Sequence, residues 1–328
     1  MKAGFGLIVG LLLLAGAAPA FAQVGGSSDT LTISINPEFP RPYQTVTVTP
    51  GSTLIDLSSS QVTISVNGSV VQKGSGAAPV QIQAGAAGAR SSITVTAVTS
   101  DGQTYSKNLT FSPADVSLIV EPISTAHPFY RGGSLVASKG LVRLIAVPDL
   151  RTSSGASIAA SSLVYTWKNG NQILESDSGI GKSVLTATAP VQFRNTTISV
   201  TVATKDSSVV GQASAIIAPV DPIARIYQND PLLGPLFNTA LPATIAMSDA
   251  EDTFRGVPYY FTGTPSLAWT VNSVQSQAGQ DITVRSSGTG KGTAVVGFQA
   301  KQADSNQLAN ILMTIQFGAQ KSLGIFGL

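Results

Sequence analysis

The sequence predicts an all-β chain of three tandem β-sandwich domains behind an N-terminal export signal. Three observations carry this. Strands of alternating apolar and polar residues recur three times in the same order, the stretches between them are rich in Gly, Asn, Asp and Pro, and charged residues make up 11% of the chain where about 25% is usual. Alternation with period two puts one strand face in a core and the other in solvent. No window of a dozen residues after the signal holds a persuasive helical period, and Val, Ile and Thr dominate the strand segments.

Residues 1–22 come first. The segment "MKAGFGLIVGLLLLAGAAPAFAQ" has Lys2 as its positive end, an apolar run to about Ala18, and Ala20 and Ala22 flanking Phe21. That is the pattern of a secretory signal with an A-x-A cleavage site. The run is short for a membrane span, which takes about 20 apolar residues; an uncleaved anchor is the alternative. Either way the rest of the chain is predicted to leave the cytosol, for the periplasm, the cell surface or the medium. The absence of Cys removes disulfides, thiolate metal sites and cysteine nucleophiles together. A formal net charge of +2 gives no argument for nucleic acid or an anionic membrane as partner.

The three domains are predicted at 29–114, 115–220 and 221–318. "SITVTAVTSDG" (92–102), "TISVTVATKDS" (197–207) and "TAVVGFQAKQADS" (293–305) each alternate and then reach Asp followed by Gly or Ser, turn chemistry that closes a hairpin. Upstream, "VTISVNG" (62–68), "LVYTWKNG" (163–170) and "LAWTVNS" (267–273) end at Asn-centred turns. Earlier still, "VTVTP" (46–50), "VRLIAVP" (142–148) and "ATIAMSD" (243–249) occupy equivalent places. Each unit opens on a Pro-punctuated stretch, "ISINPEFPRP", "LIVEPISTAHP" or "ARIYQNDPLLGP", which predicts edge strands or linkers because Pro cannot donate to a central ladder.

One stretch invites a different reading. "SGIGKS" (178–183) has the end of a phosphate-binding loop, but Ser176 stands where G-x-x-x-x-G-K-[ST] needs its first Gly, and "VLTATAP" continues as an alternating strand instead of a helix. Nucleotide binding is therefore not predicted.

The strand and turn "VYTWKNGNQIL" (164–174) resemble the Trp-bearing strand of bacterial immunoglobulin-like surface modules, including the polycystic-kidney-disease (PKD) type. The resemblance implies tandem immunoglobulin-like sandwiches with Trp167 and Trp269 packed between sheets. The first unit carries Ile64 and Val66 with no aromatic, and Asn169, Gly170 and Asn171 replace the acidic Gly-Asp-Gly turn of the PKD type. The family implies adhesion, spacing or envelope assembly, and no catalytic residues.

Candidate sites are few. In "MSDAEDTF", Asp249, Glu251 and Asp252 offer hard oxygen ligands for Ca²⁺, with a solvated loop as the alternative; no other cofactor is predicted. His127, the only His, lies in "STAHPFYRGG", read as a linker packing against the next domain and not as part of a Ser-His-Asp triad. Tyr259 and Tyr260 are consecutive on a strand and face opposite sides, so at least one ring is predicted to be exposed to a partner or to cover a domain joint. The tail, 319–328, carries Leu323, Ile325, Phe326 and Leu328, predicted to fold back onto the third unit or to dock into a neighbouring subunit or envelope component.

Three function classes follow. The first is an exported structural or interaction protein of the cell envelope, a spacer and binding platform for envelope proteins or for itself. The second is a glycan-binding or adhesion module that uses the tyrosines. An exported hydrolase finds little support in one His and scattered carboxylates, and the chain is predicted not to be an enzyme.

Overall fold

The computed structural model describes residues 30–127, 130–287 and 291–318, so the predicted export signal and Leu323, Ile325, Phe326 and Leu328 of the tail lie outside the described residues. The first unit contributes β1 (Thr32–Asn36), β2 (Thr45–Gly51), β3 (Gln61–Val66), β4 (Ser69–Ser75), β5 (Val80–Gln83), β6 (Ser91–Val98) and β7 (Thr104–Phe111). The second contributes β8 (Asp115–Ile123), β9 (Leu141–Asp149), β10 (Val164–Asn169), β11 (Gln172–Ile173), β12 (Gly179–Ile180), β13 (Val184–Thr188), β14 (Thr196–Ala203) and β15 (Val210–Ile217). The third contributes β16 (Ile223–Asp230), β17 (Gly234–Pro235), β18 (Thr244–Met247), β19 (Glu251–Tyr259), β20 (Ser266–Val271), β21 (Val274–Ala278), β22 (Asp281–Arg285), β23 (Gly292–Gln302) and β24 (Gln307–Phe317).

In the first unit the sheets run β1-β2-β5 and β4-β3-β6-β7; in the second they run β13-β9-β8 and β11-β10-β14-β15, with β12 added on β10. Both have one topology, the immunoglobulin-like sandwich with its fourth strand moved to the sheet of the third. Buried side chains collect in three main clusters, each fed by both sheets of one unit.

The Asn-centred turns do what their chemistry allows. Asn67 and Gly68 (φ 50° and 84°), and Asn272 and Ser273 (φ 48° and 68°), close two-residue hairpins, the loop that suits the right-handed twist of the strands.

Trp167 and Trp269 are both fully buried and stand opposite Val200 and Phe298, while Ile64, opposite Val95, takes that place in the first unit. A buried indole N–H needs an acceptor. Trp167 Nε1 donates to the Lys182 carbonyl at 2.8 Å and Trp269 Nε1 to the Gly279 carbonyl at 3.1 Å. The Gly-Lys stretch thus turns the chain at Gly181 (φ 72°), caps the tryptophan, and enters β13. In the third unit the larger Phe298 replaces Val200, and Gly256 makes room for it: a Cβ there would sit 2.3 Å from the ring.

The third unit departs from the predicted register. Its sheets run β17-β16-β19-β22 and β18-β24-β23-β20-β21, with β18 lying parallel along β24. "ATIAMSD" is therefore not the counterpart of "VTVTP" and "VRLIAVP"; β19 holds that place, between β16 and β22. Only Met247 of β18 is buried, an edge-strand pattern, whereas β19 buries Phe254 completely.

Candidate functional site at an aromatic joint

The outer face of a sandwich sheet is usually polar, but that of β16 and β19 is not. Register places Ile223 opposite Tyr259, Arg225 opposite Val257 and Tyr227 opposite Arg255, so Tyr227, Val257 and Tyr259 share the face turned away from the core. Such a surface needs a cover. It is supplied by the second unit, whose segment 124–140 between β8 and β9 brings Ala126, Tyr130 and Ala137 over it, with Phe237 and Ala240 of the third unit beside them. Tyr227, Val257, Tyr259 and Tyr260 are each at most 7% exposed as a result.

Hydrogen bonds fix the cover in register. The Thr125 N–H donates to the Phe261 carbonyl at 2.9 Å and the Tyr260 N–H returns to the Thr125 carbonyl at 2.6 Å. Thr262 Oγ1 donates to the Ile123 carbonyl at 3.0 Å and accepts from the Leu141 N–H at 3.1 Å. Gln307, 3% exposed, donates through Nε2 to the Ser138 carbonyl and accepts through Oε1 from the Thr262 N–H, both at 2.9 Å. Gly140 permits the close approach, since a Cβ there would lie 2.5 Å from Thr262 Oγ1. Tyr260 itself has φ 64°, a conformation costly for a bulky residue, of order 1–3 kcal/mol, that persists only where its surroundings over-determine it.

The tyrosine hydroxyls pair with each other. Tyr227 and Tyr259 hydroxyls are 2.7 Å apart, and Tyr260 donates to Tyr130 at 3.0 Å. Burial, and then the bond to Tyr227, pushes the Tyr259 phenol well above its ordinary range. Burial first and the Tyr130 bond second push Tyr260 up to about 12. Both groups remain neutral donors and acceptors at neutral pH.

The sequence-predicted residues fall as follows. Neither Tyr259 nor Tyr260 presents an exposed ring, which corrects their reading as a surface contact; they cover a domain joint instead. His127 sits in the same joint, its ring centroid 3.6 Å from that of Phe237, and burial followed by the charge of Arg255 holds its imidazole below the usual range. Arg255 forks onto Asp281, Nε to Oδ1 at 2.8 Å and Nη2 to Oδ2 at 2.7 Å, and Asn229 donates to the same carboxylate at 3.2 Å.

The acidic trio does not converge. Glu251 and Asp252 open strand β19 and so point to opposite faces; Glu251 meets Arg285 at 2.5 Å and Asp252 accepts from Gln228 at 3.0 Å, while Asp249 precedes the strand. Among the described residues no group of three His, Cys, Asp or Glu side chains is placed to hold a metal ion. The sequence predicts that the linker stretch carrying Tyr130 packs against the next domain, and Tyr130 does meet Tyr259 and Tyr260 there; sequence reasoning missed Ser138, Thr262 and Gln307. The available signal was the length of 124–140, against 37–44 between β1 and β2.

Taken together, the arrangement offers hydrogen bonds and ring contacts directed inward between two units, the chemistry of a fixed joint, with the Arg255–Asp281 ion pair beside it within the third unit. No protein-family model and no curated protein matches the chain. Solved structures align with it at low scores. Three N-terminal domains of the bacteriophage RB49 Highly Immunogenic Outer Capsid protein align over 89% of this chain and 99% of that one, at 12% identity and TM-score 0.27. Fibronectin(III)-like modules of Clostridium thermocellum CbhA align over 57% and 94%, at 16% identity and TM-score 0.26. The central fibronectin-III array of RIM-binding protein aligns over 86% and 95%, at 12% identity and TM-score 0.27. At these scores the likenesses carry no argument of their own, and the sandwich class rests on the strand topology.

Proposed function

We propose that this chain is an exported, non-catalytic structural and interaction protein of a bacterial cell envelope, in which tandem sandwiches act as a spacer and protein-binding platform. The observation that carries this reading is the aromatic joint: a second unit extended by a long segment whose residues are committed to holding the third. A spacer benefits from such a joint, because units linked by small polar contacts move relative to each other by default. The ionisable groups gathered there support a structural role, since Arg255 and Asp281 bind each other and His127 packs against an aromatic ring. Protein partners are preferred over glycans because Tyr259 and Tyr260, the residues that favoured glycan binding, are enclosed.

In-cell crosslinking followed by affinity capture tests the proposal, with captured proteins and glycans read out separately. Envelope proteins, or further copies of this chain, are the expected catch. Capture of glycans alone, or of cytosolic proteins, would overturn it.

A further inference from the structure

One contact is used twice within the chain. The end of the first unit formed by 37–44 and 84–90 faces 150–163 and 204–209 of the second, and the end of the second unit formed by 124–140 and 189–195 faces 260–265 and 303–308 of the third. At the first joint Gly88 lies so close to the second unit that a Cβ would stand 2.3 and 2.4 Å from the carbonyl oxygens of Arg151 and Thr152, and Phe39 and Pro40 share a crevice with Ser207 and Ser208. At the second, segment 124–140 and Gly140 meet Tyr260, Phe261, Thr262 and Gln307. Among the described residues two such ends face no neighbouring unit: the receiving end of the first unit and the leaving end of the third.

Both leftover ends carry leucine on a turn held outward by its own bonds. In the loop between β2 and β3, Ser52 Oγ accepts from the N–H groups of Leu54 and Ile55 at 3.1 and 3.0 Å and donates to the Thr30 carbonyl at 2.5 Å. Ile55 packs on the core while Leu54 is 71% exposed. In the β16–β17 hairpin, Asp230 Oδ1 accepts from the N–H groups of Leu232 and Leu233 at 2.8 and 2.9 Å, and Gly234 (φ 74°) closes the turn. Leu232 is 93% exposed and Leu233 77%. Gln228 bonds Asp252 at the start of β19, so this hairpin stands at the end of the third unit away from Tyr259. A crevice of about 410 Å³ lined by Val271, Arg285, Lys291 and Phe317 opens at the same end. Leucine is among the residues most often buried, and two exposed neighbours on a pinned turn form an apolar anchor with no cover among the described residues.

The geometry points to head-to-tail self-assembly: the leaving end of the third unit in one copy seats the receiving end of the first unit in a second copy, with Leu232 and Leu233 packing against Leu54. The second copy is the fitting occupant because it carries the complementary end and because this end-to-end contact already joins units inside the chain. Such a contact is heterologous, and repeated without closure it builds a linear filament. The inference rests on the structural reading above and fails separately from it.

Sedimentation velocity of the purified protein across a concentration series tests it, with a series of growing species expected. Leu54→Asp alone, or Leu232→Ser with Leu233→Ser, should each leave a single-chain species with unchanged melting, since these side chains lie outside the cores. Mixing the two variants should give a dimer that grows no further, because each keeps one intact end. A wild-type protein that stays monomeric, variants that still assemble, or a mixture that stays monomeric would overturn the inference. So would loss of assembly on deleting 321–328 while the leucine variants keep it, which would assign docking to the tail. A monomeric protein that captures other envelope proteins in cells would overturn the filament and leave the spacer role standing.

Discussion

Between the second and third units, Tyr227, Val257, Tyr259 and Tyr260 are at most 7% exposed and Gln307 bridges two backbones at 2.9 Å. Between the first and second, the most prominent polar contact is Arg41 with Asp115 at 3.2 Å, side chains 61% and 42% exposed, without the alignment of a hydrogen bond. Crevices of about 550 and 530 Å³ flank that first joint, the former lined by Phe39, Leu109 and Ser207 and the latter by Gly88, Thr152 and Asp206. The same ends of the same sandwich meet in both cases. What differs is the length of one segment, 37–44 against 124–140. The second unit thus devotes more chain to covering its neighbour than the first does, and the expectation is a fixed two-unit arm with the first unit on a looser link.

The largest effect that could break this comparison comes from truncating an aromatic. Tyr259→Ala should destabilise by about 3–5 kcal/mol, the usual cost of emptying a large buried site, and it also strips the Tyr227 hydroxyl of its partner. Arg41→Ala should change stability by less than about 1 kcal/mol, as exposed ion pairs do. Denaturant unfolding of the two variants measures both, and equal losses would dissolve the distinction.

Alkali separates the joints next. A tyrosine whose folded pKa is raised above the ordinary 10 contributes stability that is fully present below pH 10 and lost as pH rises through the folded value, about 12 for Tyr260. Spin-label distances across the second joint should therefore broaden between pH 10 and 12 while those across the first hold steady. Broadening at the first joint alone in that window would contradict the assignment.

A glycine tests the looser side. Gly88 has φ 76° and faces backbone carbonyls of the second unit, so Gly88→Ala adds about 1–2 kcal/mol of left-handed strain and meets atoms that cannot swing aside as a side chain would. The expected result is a first unit tilted away, seen as shifted label distances across the first joint, with the second joint unchanged. Unshifted distances would mean that the first joint absorbs the methyl group without moving.

How far the sequence reached is explained by the range of the forces involved. The strands and the Asn and Asp turns follow from period-two alternation and local turn chemistry, all read within a few residues, whereas the burial of Trp167 and Trp269 came from the resemblance to immunoglobulin-like modules. The exchange of roles between β18 and β19 did not follow, because "ATIAMSD" and "EDTFRGVPY" both suit strands and only pairing with distant β24 decides between them. Tyr259 and Tyr260 were legible as a choice between surface and joint. The cover that decides it lies 139 residues away in sequence, in the bond from Thr262 to Ile123. The acidic trio misled because its spacing suits ligands on a loop, and a strand sends neighbours to opposite faces.

The smallest effect concerns the turn that faces the first joint. Asp206 is held down to about 2, first by the Thr204 hydroxyl and then by Ser208, and Asp101 is lowered the same way by Thr99. In the third unit the matching position is Ala303, whose carbonyl accepts from the Asn306 N–H at 3.1 Å and which brings no hydroxyl. A carboxylate with a lowered folded pKa contributes stability that is present above its ordinary 3.8 and lost as pH falls through about 2. Acid should therefore loosen the turn at 204–209, beside the crevice of the first joint, as alkali loosens the second. Thr204→Val removes this hydroxyl and leaves Ser208 in place, so the Asp206 midpoint should rise toward 3.8 without reaching it. A carboxyl-carbon NMR titration reads that midpoint directly; a value unmoved by the substitution would assign the whole depression to Ser208 and remove the threonine from the account of why the first two turns differ from the third.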